Sequence, residues 1–391
     1  MLGAFFEGFD FSTVNLALPF IARDFHIDAK SAGFMLSIIA LGTLIAFFVV
    51  RLGDRVGRKP VFLWSVVLYS LLSLVTAFAP TPGPFVLAQL TARVFLVAVW
   101  GVGFIIVAEE FAVDQRGRAL SLFQAAAAIG AIFPSLALSP LTRLGFGWRG
   151  LYALGALPLL LVFLLGRNFH ETERFEQTRR AGGDRPRFFA VWEGAHRRNM
   201  IVISALWLLL YACYITGQNF FSYRAVNELG WSESRVGLTM ALGYTIGLLG
   251  YYVAGRLMDG IGRKPTAIIF LLGGSAFTVL TFKAVTYGSV TLFMVLSTFF
   301  VGVFTVIGAS FTNELFPTAV RANATAWGNN IIGRLGQVAA PAVVGSLAIP
   351  LGSVGNAASV MALTPIAAVI LIVLFLPETG RRELQDFMGA G

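Results

Sequence analysis

The sequence predicts an all-α membrane protein of twelve transmembrane helices in two pseudo-symmetric six-helix bundles, and three observations carry that prediction. The 391 residues are 57% hydrophobic and 13% charged, far from the composition of a water-soluble domain. The apolar residues gather into twelve runs, each near the ~20 residues that a helix needs to cross a hydrocarbon core of about 30 Å. Charged motifs of the first half return in the second half at a lag of about 205 residues.

Six runs lie near 2–22, 32–50, 61–79, 84–108, 119–141 and 150–166, and six more near 200–222, 236–258, 266–284, 288–311, 323–347 and 357–376. They must be helices, because no alternating ten-residue strand pattern is present and only helices or closed barrels satisfy every backbone group in lipid. Twelve spans consume roughly 240 residues, which leaves short connections and no room for a sizeable soluble domain. Many of the 42 glycines fall inside the runs, where small residues let helices approach closely. The expected organisation is a first bundle over 1–167, a cytoplasmic linker over 168–198 with GGDRP at its centre, and a second bundle over 199–391 ending in a short cytoplasmic tail.

Orientation follows from lysine and arginine. With the N-terminus inside, twenty of the 29 basic residues face the cytoplasm, seven lie in outer connections, and Arg93 and Arg334 fall inside spans. The first run has no basic residue before Arg23 and no small-residue cleavage site after it, so a removable signal peptide is not expected. It starts almost at Met1, and a polar N-terminal extension missing from the chain would fit that start.

Several function classes are excluded. Cys213 is the sole cysteine, and His26, His170 and His196 sit in polar connections, so disulfides, thiolate metal sites and intramembrane histidine clusters are not expected. No metal or cofactor is expected. A net charge of +9 would raise nucleic-acid binding in a soluble protein, but here the charges lie between apolar runs and no nucleic-acid partner is expected. No Walker motif, Gly-x-Ser-x-Gly or His/Glu metal spacing is present. That argues against an enzyme or an ATP-driven pump, and no appended domain is present for a sensor to signal through.

The repeat is specific. GDRVGRKP at 53–60 aligns with MDGIGRKP at 258–265, matching Asp54 to Asp259, Arg58 to Arg263 and Lys59 to Lys264. EEFAVDQR aligns with ELFPTAVR, matching Glu109 to Glu314 and Arg116 to Arg321, and HETER from His170 echoes PETGR from Pro377. Duplication of a six-helix half is the simplest source. On these residues the chain resembles the Major Facilitator Superfamily over essentially its whole length. The family's loop signature Gly-x-Leu-x-Asp-Arg-x-Gly-Arg-Lys stands as GRLMDGIGRK and, with Val50 for the first glycine, as VRLGDRVGRK. ELFPTAVR and PETGRREL resemble the branch of sugar porters, organic-ion transporters and aromatic-acid/proton symporters. EGFD at Glu7 to Asp10 resembles the Asp-Gly-Tyr-Asp motif of the aromatic-acid symporters. The resemblance implies that Asp54, Arg55, Arg58, Lys59, Glu109, Arg116, Asp259, Arg263, Lys264, Glu314 and Arg321 form gates. An aspartate near a neighbouring helix N-terminus is expected to neutralise its dipole and arginines to pair across the halves, contacts made only when the cytoplasmic side is closed, so that they bias alternating access without touching cargo.

A charge deep in a span costs about 2.5–3.5 kcal/mol on insertion scales. The candidate functional charges are therefore Glu7 and Asp10 in the first run, Arg93 in the fourth and Arg334 in the eleventh. Asp10, Arg93 and Arg334 lie about 14–17 Å into their runs, near the midplane where such transporters bind substrate. Glu7 and Asp10, three apart, share a helix face. None of the four is duplicated: at the repeat lag Glu7 meets Ala212, Asp10 meets Ile215, Arg93 meets Thr298 and Arg334 meets Ile129. Gln124, Tyr211, Tyr214, Gln218, Asn329 and Asn330 are the expected polar and aromatic lining, with Asn15, Asn219 and Tyr244 around them. Two carboxylates and two guanidinium groups sum to zero, and protonating one carboxylate leaves +1, which favours a monoanion. Arg93 also reads as a structural partner of a first-helix carboxylate. The expected function is proton-coupled symport of a small organic anion, an aromatic or related monocarboxylate, by a protein working as a monomer in a bacterial inner membrane. A proton-coupled exporter of amphiphilic compounds and a sugar or polyol porter stay open as alternatives.

Overall fold

The computed structural model describes residues 1–160, 171, 189–194 and 196–378, without the side chains of Val113, Asp114, Arg116, Ala190, Thr318 and Ala319. Most of the expected linker, the end of the sixth run and the tail lie outside the described residues, which contain helices and no strand. In chain order the helices are α1 (Leu2–Asp24), α2 (Ala29–Val56), α3 (Arg58–Ala77), α4 (Pro82–Glu110), α5 (Val113–Arg143) and α6 (Gly147–Leu154). They continue as α7 (His196–Asn227), α8 (Glu233–Gly260), α9 (Arg263–Lys283), α10 (Tyr287–Leu315), α11 (Val320–Ala348) and α12 (Val354–Phe375). Ten of these, α2 to α5 and α7 to α12, contain stretches long and apolar enough to cross a membrane. α1 is not among the ten. It carries Glu7 and Asp10, and every side chain from Ser12 to Ala22 is buried in protein.

The helices overrun the apolar runs because helical hydrogen bonding continues past the last lipid-facing turn until the backbone must leave it. At both copies of the loop signature a glycine ends the helix, Gly57 at φ +117° and Gly262 at φ +104°, where a side chain would be strained. α6 starts before its apolar run at Gly147 and turns at Gly155. α10 breaks at Gly302 and Val303. α11 departs most from a regular helix: Ala326–Gly333 form eight residues of π-helix before α-helix resumes over Arg334–Ala348.

The chain divides into two compact units. Unit 1 comprises Met1–Asp28, Ile38–Asp184 and Ala225–Ala241, and unit 2 comprises Ala29–Ser37, Arg185–Arg224 and Leu242–Gly391. In unit 1, α1 lies directly on α5: a Cβ on Gly8 would strike the Ala127 carbonyl, and one on Gly130 would strike that of Phe5. Edge-on contacts among Phe25, Phe85, Trp148 and Tyr152 tie α1, α4 and α6, geometry that aromatic quadrupoles favour. Unit 2 is built around buried Trp207, Phe270, Phe304 and Phe311. There α11 settles onto α7 through Gly333, beside the Trp207 Cβ, and Gly336, against the Leu208 carbonyl.

Candidate functional sites in the two units

In unit 1 the two midplane charges meet. Arg93 Nη2 of α4 lies 3.1 Å from Asp10 Oδ2 of α1, with Arg93 5% and Asp10 2% exposed. Such a pair is held in place by what each ion would lose alone, since removing one partner strands a buried charge. The α2 backbone presses on the arginine stem: a Cβ on Gly42 would stand 3.0 Å from Arg93 Cβ. Tyr69 packs with Phe6 and Phe9 from the Asp10 helix and with Ala92 and Leu96 beside Arg93. Glu7 is half-buried one turn before Asp10, and Gln124 is exposed on α5.

Unit 2 holds the remaining charge. The π-helix carries Asn329 and Asn330, and the next residue after it is Arg334. Tyr211 Oη donates to Asn329 Oδ1 at 2.8 Å, and the Arg334 guanidinium lies 5.7 Å from the Tyr211 ring centroid. Arg334 Nη1 donates to Gln337 Oε1 at 3.4 Å. Phe304, absent from the sequence-based set, contacts both predicted tyrosines, with ring centroids 5.0 Å from Tyr211 and a stacked 4.5 Å from Tyr214. Asn330 is half-buried, and Gln218 is buried with its Oε1 unpartnered. Among the described residues no carboxylate comes within ion-pair distance of Arg334. The two arginines therefore differ: Arg93 has a carboxylate partner inside unit 1, while among the described residues Arg334 is surrounded by aromatic and amide groups. π-Helical segments recur at functional sites, and nothing in the composition of α11 signals one.

The duplicated loop charges form the same network twice. Arg58 bonds Glu109 at 3.0 Å and Asp54 at 3.3 Å, and its Nη1 donates to the Gly53 carbonyl. Arg263 bonds Glu314 at 2.9 Å and Asp259 at 3.6 Å, and its Nη1 donates to the Met258 carbonyl. Arg321 Nε donates to the Phe316 carbonyl and Lys264 Nζ to those of Val373 and Leu376. Arg55 is exposed, and the Arg116 side chain falls outside the described positions.

Within each unit the loop arginine has a glutamate partner of its own unit, Arg58 with Glu109 and Arg263 with Glu314. The backbone N–H groups at the starts of α3 and α9 are taken by Glu171 and Glu378, distant in sequence. Glu171 accepts the N–H groups of Arg58 and Lys59, and Glu378 those of Arg263 and Lys264. Gly57 and Gly262 offer α3 and α9 no side chain for their own caps, so a carboxylate from elsewhere takes the position that the helix dipole favours. The echo of HETER in PETGR marks both glutamates in the sequence, but their targets are visible only in the fold. Glu171→Ala and Glu378→Ala are each expected to cost about 1 kcal/mol, typical of a lost helix cap. Thermal unfolding of the purified protein checks this, and unchanged midpoints in both variants would refute the capping role.

Proteins of similar sequence and shape are membrane carriers. The chain is 29% identical to the 3-(3-hydroxy-phenyl)propionate transporter of Escherichia coli, covering 98% of this chain and 94% of that one. It is 26% identical to the cis,cis-muconate transport protein of Acinetobacter baylyi, covering 95% and 91%. In three dimensions it is similar to the inward-open xylose transporter of E. coli, with a TM-score of 0.78, 18% identity, and coverage of 99% and 97%; this likeness concerns the fold. The family model of the Major Facilitator Superfamily matches residues 1–341 and 218–386. With its nearly all-helical spans and its duplicated loop motif, the chain belongs to the Major Facilitator Superfamily and is a membrane-spanning transporter of small molecules rather than an enzyme.

Proposed function

We propose that this transporter carries a small organic anion together with a proton. One observation supports the anion above all: Arg334, beside Tyr211, Asn329 and Phe304, has no carboxylate partner among the described residues. A guanidinium fork binds a substrate carboxylate in two parallel bonds, which an ammonium cannot do, and the neighbouring rings suit an apolar or aromatic body. The related proteins named for hydroxyphenylpropionate and muconate both carry organic acids by those names. The proton belongs to Asp10, whose carboxylate holds Arg93 when ionised and releases it when neutralised. In this reading both termini face the cytoplasm of a bacterial inner membrane. Residues 1–167 and 199–391 work as two bundles joined by the 168–198 linker, in a monomer.

A proton carried with a monoanion moves no net charge. Uptake by proteoliposomes of a panel of carboxylates is therefore expected to be saturable and accelerated by an inward proton gradient. It is also expected to be unaffected by an imposed membrane potential when the substrate is a monoanion. Uptake of an uncharged sugar with none of any acid would overturn the substrate class, and acid uptake indifferent to pH would overturn the coupling.

A further inference from the structure

Near the Asp10–Arg93 pair stand polar oxygens whose acceptor capacity is unused among the described residues. Tyr69 on α3 and Tyr152 on α6 are each 1% exposed. Both lie within electrostatic reach of Asp10, of Arg93 and of one another; the Tyr152 hydroxyl has no partner, and Tyr69 has Ser73 alone within reach, one turn on along its own helix. Ser73, the hydroxyl nearest in sequence to Tyr69 on the same helix face, already donates to the Tyr152 carbonyl at 2.8 Å. Gln89 is one turn before Arg93 on the same face of α4. It is fully buried, gives Nε2 to Thr76 Oγ1 at 3.0 Å, and leaves Oε1 without a partner. Native interiors rarely keep unsatisfied polar atoms, because each forfeits its hydration for no return. Two phenols within reach of the pair and an amide oxygen one helical turn before Arg93 call for a state in which they are used.

We propose that Tyr69, Tyr152 and Gln89 form a second seat for the Arg93 guanidinium, occupied when Asp10 carries its proton. The inference rests on the proton-coupled reading and extends it by naming where the released cation goes. In the ion-paired arrangement Arg93 turns Nη2 to Asp10, and the Tyr152 and Gln89 oxygens are without a partner. Once Asp10 is neutral, a buried guanidinium with five N–H donors has lost its anionic acceptor. The phenol oxygens and the amide oxygen accept without adding a charge. α2 approaches α4 closely at Gly42, beside the Arg93 Cβ, and in this proposal the head group is what changes partners. No group is oxidised or reduced: the proton enters from water onto the Asp10 carboxylate and leaves by the same carboxylate, while the guanidinium stays protonated throughout. Other ionisable groups near the pair are few. α2 between Ser31 and Val50 and α5 between Ala119 and Thr142 contribute none, α3 and α6 contribute the two tyrosines, and α1 contributes Glu7 one turn before Asp10.

The test measures initial uptake by proteoliposomes against external pH for the wild type, Tyr69→Phe, Tyr152→Phe, the double variant and Glu7→Gln. Removing an acceptor weakens only the Asp10-protonated state, so each hydroxyl deletion is expected to move the pH midpoint of uptake down by about one unit, with KM for substrate unchanged at saturating proton concentration. The double variant moves further. If the wild type is pH-driven and Asp10→Asn uncouples it, yet the tyrosine variants superimpose on the wild type, the second seat is wrong and the proton reading stands. A midpoint moved upward, meaning that the hydroxyls serve the carboxylate instead, also overturns the proposal. So does a shift seen only with Glu7→Gln, which would make that acid the receiver. A wild type indifferent to pH removes both the reading and the inference.

Discussion

Asp10→Asn is expected to abolish accumulation against a gradient while leaving downhill exchange of substrate. Asparagine matches the size of aspartate but cannot take up or release a proton, so Arg93 loses both its counter-charge and the signal that would free it. Breaking a buried ion pair by removing one partner typically costs about 3–5 kcal/mol, but here the neutral acceptors around Arg93 soften the loss. The variant should therefore fold and bind. Two measurements separate coupling from collapse: proton-driven accumulation, expected to fall at least tenfold, and counterflow of labelled substrate at equal pH, expected to persist. Undiminished proton-driven accumulation in the variant would remove Asp10 from the mechanism.

The second large effect falls on Arg334. Because no carboxylate neutralises this guanidinium among the described residues, its charge is available to a ligand, and Gln337 supplies only a long contact. Losing a hydrogen-bonded charge at a binding site removes about 1.5–3 kcal/mol, or on the order of 10- to 100-fold in affinity. Arg334→Gln is expected at the upper end of that range. Arg334→Lys, which keeps a point charge but not the fork, is expected between it and the wild type. The readout is stabilisation of the purified protein by a bound carboxylate, which follows the binding constant directly. Equal stabilisation of wild type and Arg334→Gln by the same acid would place the anion elsewhere.

The parts of this molecule that were legible in the sequence share a cause. Charges inside apolar runs are conspicuous, so Asp10, Arg93 and Arg334 announced themselves through the cost of placing them there. The loop charges were legible because duplication printed them twice; that Arg58 meets Glu109 through Nη2 and Arg263 meets Glu314 through Nε is visible only in the fold. What stayed hidden had ordinary chemistry in an ordinary setting. Tyr69, Tyr152 and Gln89 look like any residue of an apolar helix until α3, α4 and α6 bring them to one ion pair. Phe304 is one of 36 phenylalanines, and only packing against Tyr211 and Tyr214 sets it apart. The π-helix over Ala326–Gly333 escaped because nothing in its composition sets it apart from the α-helix that follows. Glu171 reaches α3 across 113 residues, a distance over which sequence alone gives the carboxylate no address.

The Asp10–Arg93 pair also sets an order of assembly. α1 is made before α4, yet α4 carries the cation that balances the acid of α1, and α2 and α3 emerge between them. Every side chain of α1 from Ser12 to Ala22 is also buried in protein. Stable lodging of α1 is therefore expected to wait until α4 follows and the two charges can be buried together.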